Sequence, residues 1–278
     1  MVSNSYSEQM IINYSISDVE PYISWLYFYH AWGLAGKPET EKAKLKAEAE
    51  AMLHEWDKSY QTHAVVEIVE ANADGDDIIV GNTRIPFLRQ QKPSAPGEAN
   101  LCLADFVRPQ QSGIADRLGL FAVTVDANAV SRNNADCYQA MMAQTLADRL
   151  AEATAELLHK EVRTKIWGYA PDENTSVADL LECRYVGIRP AVGYPSMPDA
   201  SINFVLDNII NMRQIGIRLT ESGMMTPHAS VSGLMFAHPK AKYFDIGTIG
   251  TDQLADYAER NGKSLSDAEK YVSVKPLK

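Results

Sequence analysis

AVVEIVEANADGDDIIVGN, residues 64–82, carries the clearest signal for local structure in the chain. Two apolar segments, 64–71 and 78–82, are separated by the polar sequence NADGDD, whose Asp-Gly pair is typical of a tight turn. The pattern predicts a β-hairpin. RLGLFAVTV at 117–125 is a compact apolar run and predicts a buried strand. Shorter strands are predicted at 218–222, 229–237 and 242–246.

Helical segments flank these strands. Residues 19–35 are rich in aromatic side chains, and residues 39–60 are rich in Ala, Glu and Lys, which predicts an exposed helix for the second segment. The longest helix is predicted from about Asn133 to Ile166. Its core-facing stripe consists of apolar residues that recur every three to four positions, namely Met142, Leu146, Leu150, Ala153 and Leu157. Shorter helices are predicted at 176–185, at 201–213 and from about Asp252 onward. Because strands and helices do not alternate strictly, an α+β fold is expected rather than a doubly wound sheet.

The composition is that of an ordinary globular protein. The chain has 278 residues, of which 46% are hydrophobic and 22% are charged, and it contains no apolar run long enough to span a membrane. The N-terminus lacks the pattern of a secretory signal, so a cytoplasmic location is expected. Three separated cysteines do not suggest a disulfide framework or a zinc site. The net charge of -10 disfavours nucleic acid as a partner.

Several common functional motifs are absent from the sequence. No G-x-G-x-x-G or G-x-S-x-G pattern occurs, and Gly36-Lys37 is followed by Pro38 rather than by the Ser or Thr of a phosphate-binding loop. His54-Glu55 lacks the second histidine of a metalloprotease motif. The cobalamin signature D-x-H-x-x-G also fails, because Phe28 stands where an Asp should precede His30. The chain is therefore not expected to hold cobalamin through that motif.

The segment GIRPAVGYP, residues 187–195, is the strongest candidate for a binding loop. Pro190 and Pro195 restrict the backbone, while Gly193 permits conformations that other residues resist. A stiff loop of this kind can present carbonyl and N–H groups in a fixed pattern. Arg189 adds a planar guanidinium suited to a carboxylate. Composition alone equally allows a structural turn with a solvated arginine.

Motifs distributed along the chain resemble the C-terminal activation domain of cobalamin-dependent methionine synthase, which binds S-adenosylmethionine. The family pattern R-P-A-x-G-Y-P matches residues 189–195. Other matches follow in collinear order over nearly the whole chain: a WxLAGK-like segment at 32–37, LADF at 103–106, GxFAVT at 119–124, ADRLAEAxAE at 147–156, WGYAP at 167–171, LTES at 219–222, ASVSG at 229–233 and HPxxKY at 238–243.

The resemblance implies a C-shaped α+β fold, with a twisted and mainly antiparallel sheet flanked by helices, in a single domain over residues 1–278. It also implies a function. In this family the activation domain brings S-adenosylmethionine to an oxidised cobalamin, and a flavodoxin-type protein supplies one electron. The expected activity is therefore that of a methyltransferase component, which reactivates a cobalamin-dependent methionine synthase by remethylating cob(II)alamin. Because the cobalamin and substrate modules are missing here, the cobalamin is expected on a partner chain. The chain is either a separate subunit or an excised fragment, and a separate subunit is the expectation.

The resemblance also assigns residues to the S-adenosylmethionine site. Arg189 corresponds to the residue that binds the methionyl carboxylate, and Tyr194 is expected near the reacting methyl group. The remaining predicted site residues are Ala191, Gly193, Tyr243, Phe244, Glu152 and Ser24. Without the resemblance, Tyr243 and Phe244 would be assigned to a strand in the core. Glu152 would belong to a solvated helix face with Asp148, Glu156, His159 and Arg163.

Two positions depart from the family pattern, and both lose a negative charge. Ser24 stands where the family has an Asp that pairs with the ammonium group of the ligand. Cys183 replaces a Glu in the short helix before the arginine loop, although Glu182 is adjacent.

Two alternatives follow from these departures and from the missing modules. In the first, the chain has lost S-adenosylmethionine binding and is a docking or regulatory module for a corrinoid methyltransferase. In the second, it serves a different corrinoid protein, such as one for methoxy or amine substrates.

Overall fold

The computed structural model describes residues 9–126 and 136–274. Within them, the strands are β1 (Met10–Ser15), β2 (Gln61–Asp74), β3 (Asp77–Val80), β4 (Thr83–Pro86), β5 (Asp116–Val125), β6 (Arg218–Leu219), β7 (Met225–Thr226) and β8 (Ser230–Met235). The α-helices are α1 (Ile16–Val19), α2 (Trp25–Ala31), α3 (Glu39–Trp56), α4 (Cys137–Glu161), α5 (Val177–Leu181), α6 (Ile202–Ile210), α7 (Thr251–Arg260) and α8 (Leu265–Tyr271).

The main sheet is antiparallel throughout. Its strand order is β4-β3-β2-β5-β8, and β1 pairs with the first half of the long strand β2. The central pair aligns Val66 of β2 with Phe121 of β5, and Gly119 of β5 lies opposite Met235 of β8. The sheet curls and carries helices around it, which confirms the predicted α+β, C-shaped and mainly antiparallel fold.

The predicted hairpin is present as β2 and β3. Asp74 pairs with Asp77, so the connecting loop is the two residues Gly75 and Asp76. Gly75 has a φ of 62°, in the left-handed region that glycine tolerates best. The Asp-Gly pair therefore forms the turn, with its Asp as the last residue of β2.

The two faces of the sheet contact different hydrophobic clusters, since successive side chains of a strand point to opposite faces. Phe121 and Val123 of β5 face the cluster that contains α4, while Leu120 and Ala122 face the other cluster. The predicted apolar stripe of α4 packs in the first cluster, as expected. The predicted start at Asn133 lies outside the described residues, and the helix ends in a π-helical turn at Val162–Ile166.

Some of the predicted elements are shorter than expected or absent. The segment 19–35 is interrupted: a 3-10 turn at Glu20–Tyr22 contains a proline, and α2 covers only seven residues. Helix α3 ends at Trp56 and buries a stripe that includes Leu45 and Leu53. The strand predicted at 242–246 is wrong, because this segment has no regular structure.

The other predicted segments agree more closely with the structure. The strand at 218–222 is reduced to the two residues of β6, and the strand at 229–237 corresponds to β8. The helix at 201–213 corresponds to α6, which stops before Asn211, a residue with a φ of 46°. The short helix α5 begins after Ser176 as predicted, and α7 and α8 match the predicted terminal helices. Nowhere in residues 9–126 and 136–274 is a helix both long and apolar enough to cross a membrane.

Candidate functional site

The loop at 187–195 runs beside β8 and pairs with the free edge of the sheet. Ile188 exchanges two backbone hydrogen bonds with Phe236, of 3.1 and 2.9 Å, and the Val192 N–H donates to the Ser232 carbonyl at 2.9 Å. The pairing satisfies backbone groups that an edge strand would otherwise leave open. It also fixes the position of the loop relative to the sheet.

This close approach depends on two glycines. A Cβ atom on Gly233 of β8 would lie 2.2 Å from the Pro190 carbonyl oxygen and 2.9 Å from the Ala191 Cα. A Cβ atom on Gly187 would lie 2.3 Å from the Phe236 carbonyl oxygen. Both obstacles are backbone atoms, so any larger residue would push the loop away from the strand.

The tip of the loop is a tight turn. Gly193 has a φ of 87°, and its N–H donates to the Met197 carbonyl at 2.8 Å. The Tyr194 N–H donates to the Ala191 carbonyl at 3.2 Å. Among the described residues, the Ala191 N–H and the Gly193 carbonyl have no hydrogen-bond partner. These two groups are therefore available to a ligand.

Arg189 lies at the other end of the loop with its side chain largely buried. One guanidinium nitrogen, Nη2, lies 3.2 Å from Oε2 of Glu156, and the guanidinium carbon lies 5.9 Å from the centre of the Phe121 ring. The backbone N–H of Arg189 donates to the Tyr243 hydroxyl at 2.9 Å. Burial opposes the charge of Arg189, but the Glu156 carboxylate and its neighbours outweigh this effect and raise the pKa. The backbone of Arg189 is thus held by Tyr243, and its guanidinium group is held by Glu156.

Glu152 connects the tip of the same loop to α4. Its carboxylate accepts a hydrogen bond from the Tyr194 hydroxyl. Burial and this carboxylate raise the pKa of Tyr194. A cleft of about 220 Å³ opens beside the contact, between α4 and β8, and its lining includes Val192 and Ser232. Glu152 and Glu156 are one helical turn apart, so the two ends of the loop are anchored to neighbouring carboxylates on one helix face.

Tyr243 and Phe244 point to opposite sides of their segment. The Tyr243 hydroxyl contacts the Arg189 backbone and lies 3.4 Å from the Tyr185 hydroxyl. Phe244 is buried in the core, where its ring packs at 6.3 Å from that of Phe106. The structure therefore places Tyr243 with Arg189, while the Phe244 side chain belongs to the core beneath.

Ser24 lies at the N-terminus of α2, and its hydroxyl makes no capping hydrogen bond. Its neighbours contact α4: the Tyr22 hydroxyl accepts from Lys160 at 3.2 Å, and the Tyr27 ring lies 6.0 Å from the Arg149 guanidinium. Ser24 therefore lies in a segment that packs beside the part of α4 containing Glu152 and Glu156. The structure gives no direct contact between Ser24 and the arginine loop.

The second departure from the family pattern lies just before that loop. Cys183 is exposed and has a φ of 56°, a left-handed conformation that is uncommon for a residue other than glycine. Glu182, the adjacent carboxylate, pairs with Arg184. The negative charge of Glu182 is therefore engaged by a neighbour rather than free for the site.

The expectation of a solvated polar face on α4 and the π-helical turn that follows it is wrong for three residues. Glu156, His159 and Arg163 are buried. Arg163 pairs with Glu173 through two hydrogen bonds of 2.7 and 2.8 Å, and its guanidinium lies 4.1 Å from the centre of the Tyr185 ring. These residues were missed because charged side chains at helical spacing usually face solvent. Their burial behind the loop at 187–195 follows only from the three-dimensional structure.

A buried arginine–carboxylate pair, a rigid loop with free backbone groups and an adjoining cleft are features suited to a small polar ligand at a sheet edge. Residues 15–262 match the family described as the activation domain of vitamin B12 dependent methionine synthase, and the chain belongs to that family. A crystal structure of the MetH reactivation domain bound to AdoHcy is similar, with a TM-score of 0.91 and 38% sequence identity. The match covers 99% of this chain and 92% of that one.

Proposed function

We propose that this chain binds S-adenosylmethionine and reactivates a cobalamin-dependent methionine synthase, or a related corrinoid protein, on a separate chain. The corrinoid is then a substrate of the reaction: cob(II)alamin receives one electron from a flavodoxin-type donor and the methyl group from the sulfonium. S-adenosylhomocysteine leaves as the second product. Family membership over residues 15–262 supports the proposal, as does the AdoHcy bound to the similar MetH domain.

The chemistry asks little of the protein beyond positioning. A sulfonium methyl group is already activated, so transfer needs no general acid or base. The protein has to hold the amino-acid and adenosyl ends of the ligand and aim the methyl group outward. Tyr194, which is 48% exposed at the tip of the loop, is placed near the methyl group in this proposal.

The observation that carries the proposal is the state of Arg189. Among the described residues, Glu156 is the one side-chain partner of the guanidinium, which it engages through Nη2, and Nε is buried without a partner. In this proposal the guanidinium nitrogens that Glu156 does not engage bind the methionyl carboxylate. The Ala191 N–H and the Gly193 carbonyl offer one donor and one acceptor to the rest of the ligand. In this assignment Glu152, Tyr243 and Ser24 complete the site, and Phe244 supports it from the core.

Calorimetric titration with S-adenosylmethionine tests the binding assignment. Arg189→Ala is expected to weaken binding by about 2–4 kcal/mol, because a charge-assisted hydrogen bond is lost. Arg189→Lys should recover part of the loss, since lysine keeps the charge but not the planar geometry. Arg117→Ala, an exposed arginine on β5, is the control. Unchanged affinity in a folded Arg189→Ala variant would refute the assignment.

A second assay tests the reaction itself. The chain is added to a cobalamin-loaded methionine synthase that lacks its own activation domain, together with S-adenosylmethionine and a one-electron reductant. The expected result is conversion of the cob(II)alamin absorption spectrum to that of the methylated form. No conversion, despite tight ligand binding, would contradict the reactivation role.

The second candidate function is a docking or regulatory module that no longer binds S-adenosylmethionine. Ser24 and Cys183 favour it, because both departures remove negative charge where the family places it, and the adjacent Glu182 is engaged by Arg184. The same titration separates the two, since this candidate predicts no binding by the wild-type chain.

A further inference from the structure

Glu156 is a charged residue at the site, but the proposed function assigns it no role towards the ligand. It is 7% exposed, and one carboxylate oxygen contacts Arg189 at 3.2 Å. The other oxygen, Oε1, is buried without a hydrogen-bond partner among the described residues, and so is Nε of Arg189. A buried carboxylate with a spare oxygen is costly. One oxygen of Glu156 therefore fixes the arginine, while the other is unpaired among the described residues.

The charges around the loop and cleft do not cancel. Three carboxylates belong to this set, Asp148, Glu152 and Glu156, against the two guanidiniums of Arg149 and Arg189. Over these five groups, one negative charge remains. The Arg163–Glu173 pair behind them adds none.

S-adenosylmethionine and S-adenosylhomocysteine differ at the sulfur. Both carry a carboxylate and an ammonium group, which cancel, but the sulfonium gives S-adenosylmethionine one net positive charge. A site with one net negative charge is neutralised by the sulfonium ligand and stays negative with the thioether. We infer that Glu156 is a specificity-determining residue, whose carboxylate makes the site favour the sulfonium ligand over its thioether product. This inference rests on the proposed function.

The charge of Glu156 is less screened than that of Glu152. The Glu152 carboxylate is half-buried and hydrogen-bonded to an exposed tyrosine. The Glu156 side chain is 9% exposed, so solvent and salt screen its charge less. The preference matters for turnover, because the product must leave before the next methyl donor can bind.

Calorimetric titration of the full chain with both ligands tests the inference. Glu156→Gln is nearly isosteric and removes only the charge. The ratio of the dissociation constant for S-adenosylhomocysteine to that for S-adenosylmethionine is expected to fall about five- to thirtyfold, as for a unit charge within several ångströms at intermediate screening. Effects on the common amino-acid end cancel in this ratio, so a purely structural role of Glu156 leaves it unchanged.

Two further variants serve as controls. Glu161→Gln changes a carboxylate on the same helix that contacts Tyr14 instead of the loop, and it is expected to keep the ratio. Glu156→Asp keeps the charge and is also expected to keep it. An unchanged ratio in Glu156→Gln, or an equal fall in Glu156→Asp, would overturn the inference. If the wild-type chain binds neither ligand, the proposed function itself has failed.

Discussion

Ser24 shows how one side chain can alter the charge of a binding site. The two acidic residues that could replace the missing Asp are engaged elsewhere. Asp18 belongs to the capping box of α1, where its carboxylate accepts from the Ser15 N–H at 3.2 Å and from the Ser15 hydroxyl at 2.6 Å. Glu20 lies near Glu50 of α3, where burial and the second carboxylate raise its pKa. Neither residue contacts the loop at 187–195 in the described structure, which leaves Ser24 without a replacement carboxylate there.

Ser24→Asp is therefore expected to tighten S-adenosylmethionine binding. A carboxylate offers the ammonium group a charge-assisted hydrogen bond, whereas a serine hydroxyl is a neutral acceptor. The gain should be on the order of 1–2 kcal/mol, or about five- to thirtyfold in affinity. Titration calorimetry measures it, and raising the salt concentration should reduce the gain if the site is partly open. Weaker or equal binding would refute the missing-charge explanation.

His159 is a residue whose burial makes stability depend on pH. It is fully buried, and burial, followed by the charges of Arg163 and Arg189, holds its pKa well below the usual value. The folded state therefore cannot take up a proton that the unfolded chain binds below about pH 6.5. The stabilisation is fully present above that pH and is lost as the pH falls.

The free energy of unfolding should accordingly decrease below about pH 6.5, with His159 contributing a slope of about 1.4 kcal/mol per pH unit. His159→Gln keeps a polar group next to Tyr169 but cannot titrate. Urea unfolding of both proteins at a series of pH values isolates the contribution as the difference between the slopes. Parallel curves for the two proteins would contradict the assignment.

At the scale of elements, the site is built by pairing a loop with the edge of a sheet. Gly233→Ala is expected to break this pairing, because the new Cβ would lie 2.2 Å from the Pro190 carbonyl oxygen. A stability loss of about 1–3 kcal/mol should accompany a loss of ligand affinity of at least about tenfold, since Arg189 moves with the loop.

Gly119→Ala is the matched control, in the neighbouring strand. Its Cβ would meet the Met235 and Ile68 side chains, at 2.9 and 3.3 Å, instead of the loop. It should lower the melting temperature and leave binding nearly intact. Equal loss of binding in both variants, measured by calorimetry at a temperature where both are folded, would mean that the loop is not held by β8 as described.

The secondary-structure elements differ in how well the sequence predicts them. The hairpin of β2 and β3 was predictable because Asp74 and Gly75 specify a local turn. The segment 242–246 was not, because its alternation serves two environments: Phe244 enters the core and Tyr243 contacts Arg189, while the backbone pairs with no strand. An alternating pattern of apolar residues indicates that one side of the segment is buried. It does not show that the backbone pairs with another strand.

For the whole molecule, the family resemblance identified Arg189, Tyr194, Glu152 and Tyr243, which the structure gathers around one loop. It assigned no role to Glu156, although this residue ends the matched segment 147–156. The contact of Glu156 with Arg189 joins residues far apart in sequence and depends on how α4 packs on the curled sheet. Helical spacing alone places such a glutamate in solvent. Predictions on the single domain over 1–278, the separate partner chain and the electron donor remain predictions.

The encounter with the corrinoid protein depends on whether the two proteins are linked. A fused activation domain acts at an effective concentration of about millimolar, whereas a separate chain has no such advantage. It must nevertheless leave after each repair, so that normal turnover can resume. The complex is therefore expected to be transient and tighter with the cob(II)alamin form than with the methylated form. Surface binding measurements with the two forms, in the presence of S-adenosylhomocysteine and with the cobalamin-free protein as control, give both affinities. Equal affinity for the two forms would argue against reactivation, because a chain that cannot distinguish them would occupy the active enzyme as readily as the oxidised one.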